Sequence, residues 1–435
     1  MTENPAGRAG LARVVGLPGA VLLGLGSIVG TGAFVSIGIA AGVAGPSVVV
    51  AIALAACLAT CNGLSSAQLA ADHPVSGGTY EYGYRYLTPT LGFMAGWTFL
   101  CAKSASAATA ALGLAGYALD SFGVTAPEAR IGLAVVSVGC ITALVIGGMT
   151  RSNRVNGAIV TFTLLALAAF VVLGAPTALE RSESTLSGMF SGVGDIRALL
   201  EASALMFVAY TGYGRIATLG EEVREPRRTI PLAIIVTLLI SALLYISVSL
   251  VAVGAVGADV LAEFTAATAA PLEEVARTFS GPVLPRLLAA AAITAMLGVL
   301  LNLVLGLSRV LLAMARRADA PAALARIEER SRSPRSAVLA VGTGIALIAL
   351  VGDVGLTWSF SAFTVLVYYA ITNLAALRLP AEARLYPRWI PAAGLVGCLG
   401  LAFWVEPRVW MVGLALIGVG LVGRAVISSS GLEGS

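Results

Sequence analysis

The sequence contains few charged residues. Only 11% of its 435 residues are charged, and a single histidine is present. A membrane enzyme would need paired acids, histidines or a metal set within apolar segments, and these segments hold one lysine and almost no carboxylates. A channel would show a repeated pore segment or a ring of charge, and neither is visible. We therefore expect no enzyme, no channel and no cofactor, and we predict no metal site.

Cysteine is also scarce. The five cysteines all fall within apolar segments: Cys57, Cys61, Cys101, Cys140 and Cys398. An odd number at membrane depth argues against a disulfide framework. The formal net charge of +4 reflects membrane topology, so it gives no reason to propose nucleic acid as a partner.

Apolar sequence dominates the chain. Hydrophobic residues make up 58% of it and the mean hydropathy is +0.92, which is outside the range of soluble globular proteins. We predict an all-α polytopic membrane protein with 12 transmembrane helices. The predicted spans are 17–41, 47–71, 90–119, 131–148, 155–174, 200–219, 231–256, 283–315, 336–351, 354–379, 390–404 and 409–426, of which the ninth and eleventh are short.

The arginines predict the orientation. If the amino terminus is cytoplasmic, twenty arginines lie on the inner side and six on the outer side. This asymmetry favours both termini in the cytoplasm, in a prokaryotic plasma membrane. The first apolar segment is too long for a cleavable signal peptide and is needed as a span.

The first span is interrupted by glycine. Gly24, Gly26, Gly30 and Gly32 fall within nine residues of an apolar segment. Each glycine costs roughly 1 kcal/mol relative to alanine in a helix interior, so the helix can open here. Freed backbone groups at membrane depth are tolerated where they line a cavity or hold a ligand, which predicts a binding site. The same glycines also suit close helix packing, so alone they leave both interpretations open.

The third span contains the only lysine, Lys103. It lies near the middle of about 30 apolar residues, where a basic side chain costs about 2.5 to 3.5 kcal/mol. It is far from either end for its ammonium to reach an interface. We therefore expect a functional role for it.

The sixth span resembles the first in having a polar, glycine-containing centre, because residues 207–214 read FVAYTGYG. Two interrupted spans five helices apart are typical of inverted repeats with the binding site between the breaks. We expect a first repeat over 17–175, a connection over 176–199 and a second repeat over 200–379. The last two spans, over 380–426, look peripheral, and short tails cover 1–16 and 427–435.

Three motifs carry a resemblance. Residues 26–34 read GSIVGTGAF, residues 74–80 read PVSGGTY and are followed by Tyr84 and Arg85, and residues 221–228 read EEVREPRR and are followed by Pro231. In this order they resemble the amino acid, polyamine and organocation (APC) superfamily of permeases, and bacterial relatives of cationic amino acid transporters most of all. The resemblance spans most of the chain and the twelve-helix plan.

The resemblance implies a substrate site at the two breaks, made by Ser27, Ile28, Gly30, Thr31, Gly32, Phe207, Val208, Ala209, Tyr210 and Thr211. Backbone N–H groups of residues 30–32 would hold the substrate carboxylate. Carbonyl groups of residues 27–28 and 207–209 would hold its ammonium. Phe207, Tyr210 and Thr211 would shape the side-chain pocket or its outer gate.

The chain departs from the family's pattern at the coupling positions. Proton-driven relatives often have a lysine on the fifth helix, where Thr163 stands here. Ala102 replaces a common glutamate on the third helix, and Gly214 replaces an acid after the sixth-helix break. Coupling by the family's usual lysine is therefore not expected. We hypothesise that Lys103 supplies the cation, as a titrating group or as a fixed charge.

The competing hypothesis is a sodium ion near the carbonyls of Gly26 and Val29 with the Thr163 hydroxyl. With no acid evident in the pocket, Lys103 disfavours cationic substrates. We expect a secondary active transporter of neutral, zwitterionic amino acids that works by alternating access and couples to protons. Sodium coupling, exchange, an acidic substrate and a homodimer stay open as alternatives, as do two other classes, a non-transporting sensor on the same fold and a membrane-embedded enzyme.

Overall fold

The computed structural model is a helical bundle. It describes residues 15–73, 77–148, 153–187, 189–190, 195–217, 223–328 and 334–430. Within these ranges extended backbone pairs only in an isolated bridge between Val15 and Val223. The α-helices of the described residues are α1 Leu17–Ile28, α2 Ile37–Ala44, α3 Val48–Asp72, α4 Thr79–Tyr86, α5 Pro89–Asp120, α6 Pro127–Ile146, α7 Asn153–Thr185, α8 Ile196–Tyr210, α9 Gly214–Ala217, α10 Pro226–Val256, α11 Ala258–Thr268, α12 Pro271–Arg277, α13 Val283–Arg316, α14 Arg335–Ala349, α15 Val354–Leu377, α16 Trp389–Ala402 and α17 Pro407–Ser430.

Several helices are long and apolar enough to cross a membrane. Eight such helical stretches occur in the described part of the chain, and one of them, Gly32–Asp72, joins α2 to α3. Three shorter apolar helices, α1, α14 and α16, accompany them. The chain is therefore a polytopic membrane protein, as predicted. The short α14 and α16 correspond to the ninth and eleventh predicted spans, and the total of twelve spans and the inverted repeat stay predictions.

Both predicted helix interruptions are confirmed. α1 ends at Ile28, Val29 is extended with φ −82° and ψ 97°, and a π-helical turn over Gly32–Ser36 precedes α2. α8 ends at Tyr210, and a 3-10 turn over Thr211–Tyr213 leads into α9. Gly30 and Gly32 lie at the first opening, whereas Gly24 and Gly26 lie inside α1 at close packing contacts, so the glycines of the first span serve both predicted purposes.

α5 and α15 lie at the centre of the bundle. In the most apolar segment of each helix, 83% of the residues are buried in α5 and 78% in α15, against 28% in α6 and 17% in α17. Hydroxyl pairs join the two central helices, with Oγ–Oγ distances of 2.7 Å for Ser106 and Ser361 and an Oγ1–Oγ1 distance of 2.8 Å for Thr109 and Thr357. Hydroxyl side chains of α15 thus bond a neighbouring helix along part of its length.

The two ends of the bundle differ in their side chains. One end, which we call the basic face, carries α4 and the end of α13, joined by an Arg317–Glu81 ion pair of 2.8 Å. The other end, which we call the opposite face, carries α11, α12 and the end of α5, joined by an Arg277–Asp120 ion pair of 2.9 Å. α4 is a short helix that follows α3 at this face.

Candidate functional site

A cavity of about 460 Å³ reaches from the middle of the bundle toward the basic face. Ser27, Lys103 and Thr211 line its inner end. Arg309 and Arg316, in the last turns of α13, line it nearer the basic face. The cavity therefore joins the two helix breaks to one face of the protein.

Lys103 points into the break of the sixth span. Its Nζ donates a hydrogen bond of 2.6 Å to Oγ1 of Thr211, and the residue is only 8% exposed. The Thr211 hydroxyl in turn donates to the carbonyl of Val208 at 2.7 Å. Lys103 forms no ion pair with a carboxylate of the described residues. The side chain therefore brings a basic group to the break itself.

Aromatic rings surround the Thr211 turn. Tyr369 of α15 donates from its hydroxyl to the Thr211 carbonyl at 3.3 Å. Phe207 packs edge-to-face against Tyr369, with ring centroids 5.6 Å apart, and Tyr213 lies 5.5 Å from the same ring. Phe207 therefore contributes to an aromatic wall that contacts the break through Tyr369.

Tyr245 of α10 joins the two breaks. Its hydroxyl lies 2.9 Å from the carbonyl oxygen of Ile28 and 3.2 Å from that of Ala209, and the residue is fully buried. The single hydroxyl proton thus serves one acceptor in each interrupted helix. Sequence reasoning missed Tyr245. The available signal was a tyrosine in the middle of an otherwise apolar span.

We expect Tyr245→Phe to lower the melting temperature and slow transport. Removing the hydroxyl leaves two buried carbonyl groups without this donor, and each unsatisfied buried group costs about 1–3 kcal/mol. Thermal unfolding of the purified protein and initial uptake rates measure the effect. Tyr386→Phe, a partly exposed tyrosine outside the helices, is the control and should change neither; equal behaviour of the two variants would contradict the bridging role.

The first break is tightly packed. The Gly30 carbonyl accepts hydrogen bonds from the amides of Ala33 and Phe34 at 3.0 and 3.1 Å. A β-carbon on Gly32 would lie 2.6 Å from the Tyr245 hydroxyl oxygen. The Thr31 hydroxyl is buried and has no hydrogen-bond partner among the described residues. At residues 30–32, the unpaired hydroxyl of Thr31 therefore lies next to Gly32, whose backbone packs so closely against Tyr245 that a larger residue would clash.

The residues of the competing sodium site lie where α1 meets α7. A β-carbon on Gly26 would lie 2.4 Å from Oδ1 of Asn156, and the Asn156 amide donates to the Leu22 carbonyl at 3.1 Å. Thr163 is buried and its hydroxyl donates to the Ile159 carbonyl of its own helix at 2.8 Å. No group of three or more metal-ligating His, Cys, Asp or Glu side chains occurs in the described ranges.

Comparison with known proteins gives the family of this chain. A family model described as "Amino acid permease" matches residues 19–427. The chain belongs to the amino acid permease family. The permease is thus a transporter by family, not an enzyme, in agreement with the predicted APC membership.

Three relatives illustrate the range of the family. An uncharacterised transporter of Mycobacterium tuberculosis is 39% identical over 417 residues, which cover 96% of this permease and 91% of the relative. The branched-chain amino acid permease BcaP of Bacillus subtilis is 28% identical over 361 residues, covering 79% and 76%. Cationic amino acid transporter 3, mitochondrial, of Arabidopsis thaliana is 25% identical over 385 residues, covering 84% and 62%.

The structure brings some of the predicted site residues together at the cavity of the permease. Ser27, Thr211 and Lys103 line it directly. The other predicted residues do not line this cavity: Gly26, Ile28, Val29, Gly30, Thr31, Gly32, Thr163, Phe207, Val208, Ala209 and Tyr210. Most of them flank the same two breaks, so the cavity meets the predicted site from the side of the basic face. Their roles in binding stay predictions. Residues 74–76 and 218–222, which carry parts of two motifs, lie outside the described residues.

The helix α4 forms a wall of the cavity that sequence reasoning did not anticipate. Its Tyr80 lines the cavity and donates from its hydroxyl to Asp319 at 2.8 Å. Arg424, near the end of α17, forms an ion pair of 2.9 Å with the same carboxylate. Tyr84 also donates to it, at 2.5 Å. The twelfth predicted span, expected to be peripheral, therefore contacts a wall of the cavity through Asp319.

Proposed function

We propose that this permease is a secondary active transporter that carries neutral, zwitterionic amino acids across the cell membrane by alternating access, coupled to protons. The hydrogen bond of Lys103 to Thr211, at the break of the sixth span, carries the proposal. It puts a basic side chain in contact with the turn to which the APC resemblance assigns substrate binding. The basic face would be cytoplasmic, which places both termini inside the cell.

The positive charge of Lys103 predicts which substrates the permease accepts. An ammonium group in the cavity repels a cationic side chain by several kcal/mol, ~4 kcal/mol at 4 Å with an effective dielectric constant of 20. The ends of two interrupted helices suit a zwitterion, because one offers N–H donors and the other carbonyl acceptors. The printed name of the Bacillus subtilis relative, a branched-chain amino acid permease, agrees with a neutral substrate. The name of the Arabidopsis thaliana relative, a cationic amino acid transporter, supports the competing specificity.

We expect neutral amino acids to raise the melting temperature of the purified permease, and arginine and lysine to leave it unchanged. A ligand that binds only the folded protein stabilises it by about 2.7 kcal/mol at 100 times its Kd. Glutamate and aspartate in the same panel test the acidic alternative. Stabilisation by arginine as strong as that by leucine or alanine would contradict the role given to Lys103.

The coupling ion is identified by a transport measurement. The best ligand of the panel is followed into proteoliposomes under an imposed proton gradient, an imposed sodium gradient or neither. Accumulation driven by protons alone supports the proposal, and a strict sodium requirement overturns its coupling step in favour of Thr163. Binding without saturable uptake would instead assign the protein as a sensor.

A further inference from the structure

One arginine and three carboxylates meet at the opposite face. Arg277 of α12 lies 2.9 Å from Asp120, 2.9 Å from Glu273 and 2.7 Å from Glu274. Asp120 is the last residue of α5, whereas the other three residues belong to α12. The cluster therefore docks α12 onto the end of a central helix, with more negative than positive charge when every group is ionised.

Glu273 is the buried member of this cluster. It is 1% exposed, although it lies in a short helix outside the membrane spans. Its Oε1 accepts from Arg277 and lies 3.5 Å from the Ser121 hydroxyl, and its Oε2 has no hydrogen-bond partner among the described residues. A buried carboxylate oxygen without a donor is costly when ionised. Protonation of that oxygen removes the negative charge and therefore the cost of burying it.

The docked α12 is also connected to the first break. The Leu272 amide of α12 donates to the Tyr117 hydroxyl at 3.3 Å, and that hydroxyl donates to the Phe34 carbonyl at 2.9 Å. Phe34 belongs to the π-helical turn, and its ring packs edge-to-face on Tyr117 with centroids 5.7 Å apart. Movement of α12 away from α5 therefore breaks the hydrogen bond from Leu272 to the Tyr117 hydroxyl, the same hydroxyl that contacts the first break.

We propose that Glu273 is a proton-binding site that controls docking of α12: with the proton bound, α12 stays docked on Asp120 and Tyr117, and on its release α12 separates from the end of α5. The site lies at the end of the bundle away from Lys103. This proposal rests on the proposed function only for the assignment of the opposite face to the outside of the cell.

The sign of the pH dependence follows from the surroundings. Burial raises the pKa of the Glu273 carboxyl, the charge of Asp120 raises it further, and Arg277 lowers it, which leaves it at about 7. A hydrated glutamate has a pKa of about 4.3. Because docked Glu273 holds its proton more tightly than hydrated Glu273, acid favours docking and rising pH opposes it. Between pH 6 and pH 8 the ratio of docked to undocked α12 should fall about tenfold.

Other charged groups near α12 belong to its neighbouring helices. α11 carries Asp259 and Glu263, and the first turn of α13 carries Arg286. Arg130 of α6 donates to the carbonyls of Ala266 and Ala267 in α11. Neither Arg286 nor Arg130 forms an ion pair with Glu273 in the described part of the chain, and the charges that shift the Glu273 pKa are those of Asp120, Arg277 and Glu274. The π-helical turn and the last three turns of α10 carry no titratable side chain. The cluster itself therefore determines the titration.

Hydrogen exchange of the purified full-length permease, read by mass spectrometry, tests this site without transport. After division by intrinsic exchange rates, the protection of the α12 amides should fall about tenfold from pH 6 to pH 8 in the wild type. In Glu273→Gln most of this pH dependence should be lost. Glu274→Gln, which removes the same charge from the same short helix at a more exposed position, should keep the pH dependence.

Asp120→Asn is a second variant that keeps Glu273. It removes a neighbouring negative charge, so the midpoint of the protection change should move to lower pH by a measurable fraction of a unit. Equal protection at pH 6 and pH 8 in the wild type would overturn the proposal. So would a pH dependence of undiminished size in Glu273→Gln, or an unchanged midpoint in Asp120→Asn. Each of these results is independent of whether the permease carries amino acids.

Discussion

Lys103→Ala should lower proton-driven accumulation of substrate about ten- to hundredfold while the substrate still stabilises the purified protein. The variant removes the 2.6 Å hydrogen bond to Thr211 and a basic side chain that lines the cavity at the sixth-span break. A hydrogen bond from a charged donor contributes about 1.5–3 kcal/mol. The corresponding loss in the coupled rate is about ten- to hundredfold. Uptake into proteoliposomes with an imposed proton gradient measures it, beside thermal unfolding with and without substrate.

Two further variants separate the possible roles of this lysine. Lys103→Arg keeps a positive charge that cannot be titrated in proteins. It should retain uptake if the charge is fixed and lose uptake if Lys103 must exchange a proton. Ser106→Ala is the matched control, because Ser106 lies one turn along α5 and bonds Ser361 instead of the break. Wild-type accumulation by Lys103→Ala would refute the coupling hypothesis and direct attention to Thr163.

Gly212→Ala should lose transport and lower the melting temperature. A β-carbon at this position would lie 2.3 Å from the carbonyl oxygen of Ser27 and 2.5 Å from its carbonyl carbon. Both are backbone atoms of the first interrupted span, so no side-chain rotation relieves the clash. Overpacking of this kind typically costs about 1–3 kcal/mol. The two breaks would have to separate at the contact that joins them.

Gly306→Ala is the control for Gly212→Ala. Gly306 lines the same cavity and lies inside α13, but a β-carbon there meets nothing within 4 Å. Alanine in a helix interior is favoured over glycine by roughly 0.5–1 kcal/mol, so this variant should melt at the same or a higher temperature. If Gly212→Ala transports and melts like Gly306→Ala, the contact between the two breaks is not needed for the transport cycle.

Local properties of the sequence predicted the helices well. The predicted fifth span ends at residue 174, whereas α7 continues to Thr185, past an internal Pro176. The other long helices lie close to their predicted bounds, because hydropathy and length are properties of one continuous segment. The glycine-rich centres of the first and sixth spans opened as expected, since glycine weakens a helix wherever it is packed.

Contacts between residues that lie far apart in the sequence could not be predicted from these local properties. The cost of a lysine at membrane depth marked Lys103, but its partner Thr211 lies on another span. Tyr245 joins Ile28 to Ala209, and Asp319 joins Tyr80 to Arg424. These contacts bring together residues from opposite parts of the chain, and no periodicity of a single segment encodes them.

The sequence by itself determined the membrane class, the approximate helix bounds, the two breaks and the unusual position of Lys103, because each depends on the local cost of placing a residue in hydrocarbon or in a helix. Tertiary structure decided which carbonyl each hydroxyl reaches, which predicted residues line the cavity, and that Glu273 is buried beside Asp120. The physical reason is that hydrogen bonds and charge pairs act over a few ångströms, and only the packed bundle sets those distances.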